Sequence, residues 1–131
     1  MSSISKRDLM RVFQIIEEFR KIYPDMQMQT AGIFVTISLN EGITMKDLGQ
    51  KCGLAQSTTS RNVSLLSDKL RHDKDGYGLV VAKEDPVERR RKIVKLTPAG
   101  RRVAASLSGI IDASKEDGRM VPEVGLEPTR P

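Results

Sequence analysis

The chain has 131 residues, of which 38% are hydrophobic and 30% charged, and a net charge of +5. That length suits one compact domain, and the lack of any run of about 18 apolar residues excludes a membrane span and a membrane partner. Cys52 is the only cysteine and His72 the only histidine, which excludes an intramolecular disulfide and argues against a Cys/His zinc site.

The start, MSSISKRDLMRVFQ, has no long apolar stretch followed by a small-residue cleavage site, so the expected address is the cytoplasm. Between Lys83 and Arg102 stand eight cations (Lys83, Arg89, Arg90, Arg91, Lys92, Lys95, Arg101, Arg102) against three acids (Glu84, Asp85, Glu88), an excess equal to that of the whole chain. A basic excess confined to one segment suits a surface that faces phosphate, with a solvated charge run as the plain alternative.

In chain order, Ser5 with Asp8 three residues on offers a helix cap. Leu9, Val12, Phe13, Ile16, Phe19 and Tyr23 then recur at helical spacing until Pro24 stops the helix. A second helix is expected over Met26 to Leu39, with Met28, Ala31, Phe34, Val35 and Leu39 as its apolar stripe, although the β-branched run Ile33 to Ile37 would also suit a strand. Thr44 caps a short helix that buries Met45, Leu48 and Cys52 and closes at Gly53. In the next helix, from Gln56, a stripe of Thr59, Val63, Leu66 and Leu70 faces inward and Thr58, Ser60, Arg61, Asn62 and Ser64 face outward. Two helices joined by a tight turn, the second with a small polar face, form a helix-turn-helix layout. For Arg61 the plain alternative is a surface salt bridge to Asp68.

A polar loop from Arg71 to Gly78 leads to two short strands, Leu79 to Ala82 and Lys92 to Leu96, with Asp85 to Arg91 as the turn between them. This basic hairpin, directly after a helix-turn-helix, reads as a wing whose arginines would lie in a minor groove. Thr97-Pro98 opens a last helix striped by Val103, Ala104, Leu107, Ile110 and Ile111. The helix is expected to end near Ile111 to Ser114, giving a domain over 1–113 and a flexible tail over 114–131.

On these motifs the chain resembles the MarR-type winged helix-turn-helix transcription regulators. The resemblance rests on Leu54-Ala55-Gln56-Ser57-Thr58-Thr59-Ser60-Arg61, and on Asp85 through Glu88-Arg89-Arg90-Arg91 to Val94-Lys95-Leu96-Thr97-Pro98-Ala99-Gly100. It implies a mainly α fold with a small β-hairpin wing, double-stranded DNA as partner, and a homodimer built from the first and last helices. It also implies DNA contacts from Ser57, Thr58, Ser60, Arg61, Ser64, Arg89, Arg90 and Arg91, with Arg90 in the minor groove and Glu88 orienting the basic pair. Regulation by repression follows, with no cofactor. A small-molecule effector would use Phe13, Phe19, Tyr23 and Phe34, yet aromatics on helical stripes ordinarily serve a core. The alternative function is an architectural or protein-interaction module with little sequence preference. Nothing in the sequence has the spacing of a catalytic site or a metal site, so no enzyme activity is expected.

Overall fold

The structure, a computed structural model, describes residues 3–67 and 76–119. Within them the chain forms helices α1 (Lys6–Ile22) and α2 (Met28–Leu39), strand β1 (Ile43–Thr44), helices α3 (Met45–Cys52) and α4 (Gln56–Leu66), strands β2 (Val80–Glu84) and β3 (Lys92–Leu96), and helix α5 (Pro98–Arg119). This is a winged helix-turn-helix. The sheet runs antiparallel in the order β1-β3-β2, with Ile43 opposite Val94 and Val80 opposite Leu96. The hairpin is thus the predicted one, shifted to end its first strand at Glu84. Strand β1 adds two residues, too few to leave an alternation in the sequence.

The caps fall where the sequence puts them. Ser5 Oγ accepts the Asp8 amide at 3.2 Å, and Thr44 Oγ1 accepts the Asp47 amide at 3.1 Å. Gly53 ends α3 in the left-handed region at φ 67°, where a side chain would be strained. Thr97 Oγ1 accepts the Gly100 amide at 3.0 Å and starts α5. A Cβ on Gly100 would overlap the carbonyl oxygen of Leu79, so only glycine lets α5 lie this close to the entry of the wing.

The core comprises Ile33, Phe34 and Ile37 of α2, Leu48 of α3, Val63 and Leu66 of α4, and Leu79, Val80, Val94 and Leu96 at the sheet, with Ile43 beside them. Helix α2 forms as expected and buries Phe34 of the expected stripe, with Ala31 half-buried, but the rest of its buried face differs. Thr30, Ile33, Phe34 and Ile37 are inside, whereas Met28, Val35 and Leu39 of the predicted stripe are exposed. The helix has no charged residue, so its spacing admits two apolar faces. The choice falls to its packing against α3, α4 and β3.

Two other expectations change. Asn62, placed on the polar face of α4 by its residue type, is buried: Thr30 Oγ1 donates to its Oδ1 at 2.5 Å and its Nδ2 donates to the Thr58 carbonyl at 2.9 Å. A partner on α2, invisible to spacing within α4, satisfies it there. Helix α5 runs through Ser114 to Arg119, past the expected end, since Lys and Glu extend an existing helix without needing anything to bury. The rest of the expected tail, 120–131, lies outside the described residues, as do Leu70, Asp68 and most of the loop predicted from Arg71 to Gly78.

Helix α1 packs along α5 and touches the core through Phe19, whose ring meets Phe34 edge-on at 6.1 Å. No residue of α1 is fully buried, and Leu9, Val12, Phe13 and Ile16 are 43–55% exposed. An apolar stripe with this exposure on a helix this regular is an uncovered face. No helix among the described residues is long and apolar enough to cross a membrane.

Candidate nucleic-acid interface

Helix α4 stands on the core by Thr59, Val63 and Leu66 and turns Ser57, Ser60, Arg61 and Ser64 to solvent, with Thr58 half-buried. Its N-cap residue, Ala55, makes no side-chain cap, so the first amides of α4, at the positive end of the helix, have no side-chain acceptor in it. The far end is tied down. The amides of Tyr77, Gly78 and Leu79 donate to the carbonyls of Leu65, Ser67 and Leu66 at 2.9, 2.9 and 2.8 Å, which caps α4 with the lead-in to the wing. Orientation of the wing entry is therefore set by the end of α4.

At the wing tip the chain reverses between Glu84 and Lys92, which face each other in the ladder. Asp85 builds this turn: its Oδ1 accepts the Val87 amide at 2.9 Å, its own amide donates to the Arg91 carbonyl at 2.9 Å, and its Oδ2 accepts from Arg91 Nη2 at 3.0 Å. The Val87 amide, opposed by burial and assisted by the Glu88 amide and the Arg91 guanidinium, holds the Asp85 carboxyl below the usual carboxylate range. Glu88 lies 3.8 Å from Arg90 Nε, a looser contact, and the Arg90 side chain is 92% exposed. The Arg91 guanidinium is thus held by Asp85, and the Glu88 carboxylate meets Arg90 while the Glu88 carbonyl accepts the Arg91 amide at 3.0 Å. Asp85 is the residue that sequence reasoning passed over as a turn acid, although an aspartate before a proline and two residues ahead of a free amide is a known turn builder. Arg89 is exposed beside them.

Two clefts flank α4. One of about 670 Å³ is lined by Lys46, Asp47 and Gln50 of α3, Gln56, Thr59 and Ser60 of α4, and Arg90, Arg91 and Lys92 of the wing. It brings Ser60 together with two of the wing arginines across thirty residues of sequence, with Lys46 and Lys92 adding charge and Met45 an apolar side. The other, of about 720 Å³, is lined by Thr58, Arg61, Asn62 and Leu65 of α4 with Tyr23, Met26 and Tyr77. There Tyr23 and Tyr77 stack at 5.7 Å, and burial pushes the Tyr77 hydroxyl above its usual range. Arg61 Nη2 reaches Thr58 Oγ1 at 3.5 Å. Ser57, Ser64 and Arg89 line neither cleft. The four aromatics of the expected effector pocket do not converge: Phe19 and Phe34 pack on the core, Tyr23 stacks on Tyr77, and Phe13 is exposed.

Cys52 is half-buried and its thiol donates to Thr36 Oγ1 at 3.6 Å. Among the described residues no group of three or more His, Cys, Asp or Glu side chains could hold a metal ion.

No family model and no curated protein matches the chain. Solved structures do. The Staphylococcus aureus MepR–DNA complex matches with a TM-score of 0.62 at 17% identity, over 88% of this chain and 90% of that one. A MarR-like transcriptional regulator from Thermotoga maritima matches with a TM-score of 0.61 at 19% identity, over 91% and 85%. The PcaV regulator of Streptomyces coelicolor with its natural ligand matches with a TM-score of 0.54 at 20% identity, over 90% and 83%. At such identities the likeness is one of fold: the chain has the MarR-type winged helix-turn-helix fold.

Proposed function

We propose that the chain is a cytoplasmic, homodimeric, sequence-specific regulator of transcription that binds double-stranded DNA, a repressor that occupies its site and performs no chemistry. The observation that carries this reading is the cleft in which Gln56 and Ser60 of α4 stand together with Arg90 and Arg91 of the wing, in a fold shared with a protein solved on DNA. A major groove admits a helix, and the small hydroxyls of Ser57, Thr58, Ser60 and Ser64 let α4 approach base edges while Arg61 grips phosphate or guanine. Arg90, whose side chain is 92% exposed, enters the minor groove with Arg89 beside it. Arg91, held by Asp85, and Lys46 present charge to the backbone between the grooves, and Glu88 restrains Arg90. The uncovered apolar stripe of α1, with Ile111 of α5 also exposed, supports a second copy as partner and so a pseudo-palindromic site.

Sedimentation equilibrium and selection from a pool of random duplexes test the reading together. A dimer that retains an inverted repeat, with half-sites about one helical turn apart, is the expected result; a monomer that retains DNA without a motif overturns it in favour of an architectural binder. On the selected site, Arg90→Ala should weaken binding and lower the salt slope by about one, with the unfolding midpoint unchanged. An unaltered affinity and slope would remove Arg90 from the interface.

A further inference from the structure

The junction between the wing and α5 contains a device that the DNA-contact surface does not use. Strand β1 is two residues long, so it leaves the end of β3 without a backbone partner on that side: Gly42 donates to the Val94 carbonyl at 2.9 Å, and there the ladder stops. The next donor, the Leu96 amide, is taken by a side chain. Glu41 Oε2 accepts it at 2.9 Å, in the place where a longer β1 would have offered a carbonyl. The same carboxylate receives the Arg101 guanidinium from the first turn of α5, Nη1 to Oε1 at 2.9 Å and Nη2 to Oε2 at 3.1 Å. Its side chain is 31% exposed against 58% for Arg101. A lone pair of this exposure would contribute little, but a bidentate fork on a carboxylate already fixed by a backbone amide has little freedom left to lose.

We propose that Glu41 is a positioning residue that couples the wing to α5, so that the set of α5 governs the angle at which the wing meets its ligand. One carboxylate joins three elements: the turn after α2, the last residue of the wing strand and the start of the last helix. A parallel connection runs on the other edge of the hairpin, where Thr97 Oγ1 donates to the Gly78 carbonyl at 2.7 Å and the Thr97 amide donates to the Leu79 carbonyl at 3.0 Å. That second connection is made by backbone and a cap hydroxyl and is fixed in length. The Glu41 connection ends on a side-chain ion pair, which makes it the adjustable one. Movement of α5, through whatever packs on it, is passed to β3 by Arg101 and Glu41 and so to Arg90 and Arg91 in the turn that leads into the other end of that strand.

The proposal's functional half rests on the DNA-binding reading, and its structural half does not. The test uses the full chain with Arg101→Met, which removes the α5 end of the connection and leaves Glu41 on Leu96, and with Glu41→Gln, which keeps an acceptor for Leu96 and loses the charge. Amide hydrogen exchange without DNA should show Leu96 and the β3 amides near it exchanging roughly tenfold faster in Arg101→Met, the order of effect expected for one charge-assisted hydrogen bond, with α2 and α3 unchanged. The double variant should exchange no faster than either single variant. On the selected duplex, the same variants should narrow the difference in affinity between sites of correct spacing and sites one base pair longer, which a mere loss of stability would leave in place. Unchanged exchange at Leu96 in Arg101→Met, or additive effects in the double variant, overturns the coupling. If the unaltered chain selects no site, the DNA-binding reading fails while the exchange result still decides the connection.

Discussion

Helix α4 and the wing form one candidate surface, yet they are held in opposite ways. Helix α4 is positioned from beneath: Val63 and Leu66 are buried in the core, and Asn62 and Thr59 are buried beside them. The wing tip is positioned from within its own turn, by one carboxylate that gathers an amide and a guanidinium at the surface. The difference separates two kinds of sensitivity. What fixes α4 is apolar burial and a buried hydrogen bond, which respond to packing and hardly to salt or pH. What fixes the wing is charge and local geometry, which respond to both and contribute little to the stability of the whole.

The sharpest break in that comparison comes from the core side. Leu66→Ala should cost about 2–5 kcal/mol, since a fully buried leucine leaves a cavity the surroundings fill only in part, and denaturant unfolding measures it as a lower midpoint at unchanged slope. Thr30→Val is gentler. It keeps the shape and removes the donor to Asn62 Oδ1, so a buried acceptor is left unpaired at a cost of about 1–3 kcal/mol. If Thr30→Val left the midpoint where it was, the bond would not be what seats α4 on α2. By contrast, Asp85→Asn should leave the midpoint essentially where it is, as surface changes do, while altering the amide resonances from Val87 to Arg91.

The same division explains what could be read from the sequence. The caps at Ser5, Thr44 and Thr97, the turn at Gly53, the inward stripe of α4 and the return strand of the wing all depend on neighbours within a few residues. Local patterns therefore display them. The burial of Asn62 and the carboxylate of Glu41 on Leu96 depend on partners 32 and 55 residues away, the face of α2 depends on its packing against α3, α4 and β3, and a helix with no charge gives its spacing nothing to break the tie. Strand β1 is defined only by its pairing with β3. Within the wing, the basic run was plain, but which acid restrains which arginine was decided by turn geometry: Asp85 and Arg91 close the turn from opposite ends, leaving Glu88 with Arg90.

The smallest effect is the most specific to the wing. Because the Val87 and Glu88 amides and Arg91 lower the folded-state pKa of Asp85 beneath its unfolded value, the stabilisation of the turn is present above the unfolded value of about 4 and is lost as pH falls through the lower folded one. From pH 7 down to about 5 the turn should therefore hold constant. Proton–nitrogen correlation spectra across pH 7 to 2.5 check this through the Val87 amide, which should move in a single step centred below about 4, with the resonances of α4 still. Asp85→Asn should start near the acid-form position at neutral pH and stay there. A Val87 step between pH 5 and 7 would mean that a different group restrains the turn, and a step shared by α4 would mean that the two halves of the surface are not held separately after all.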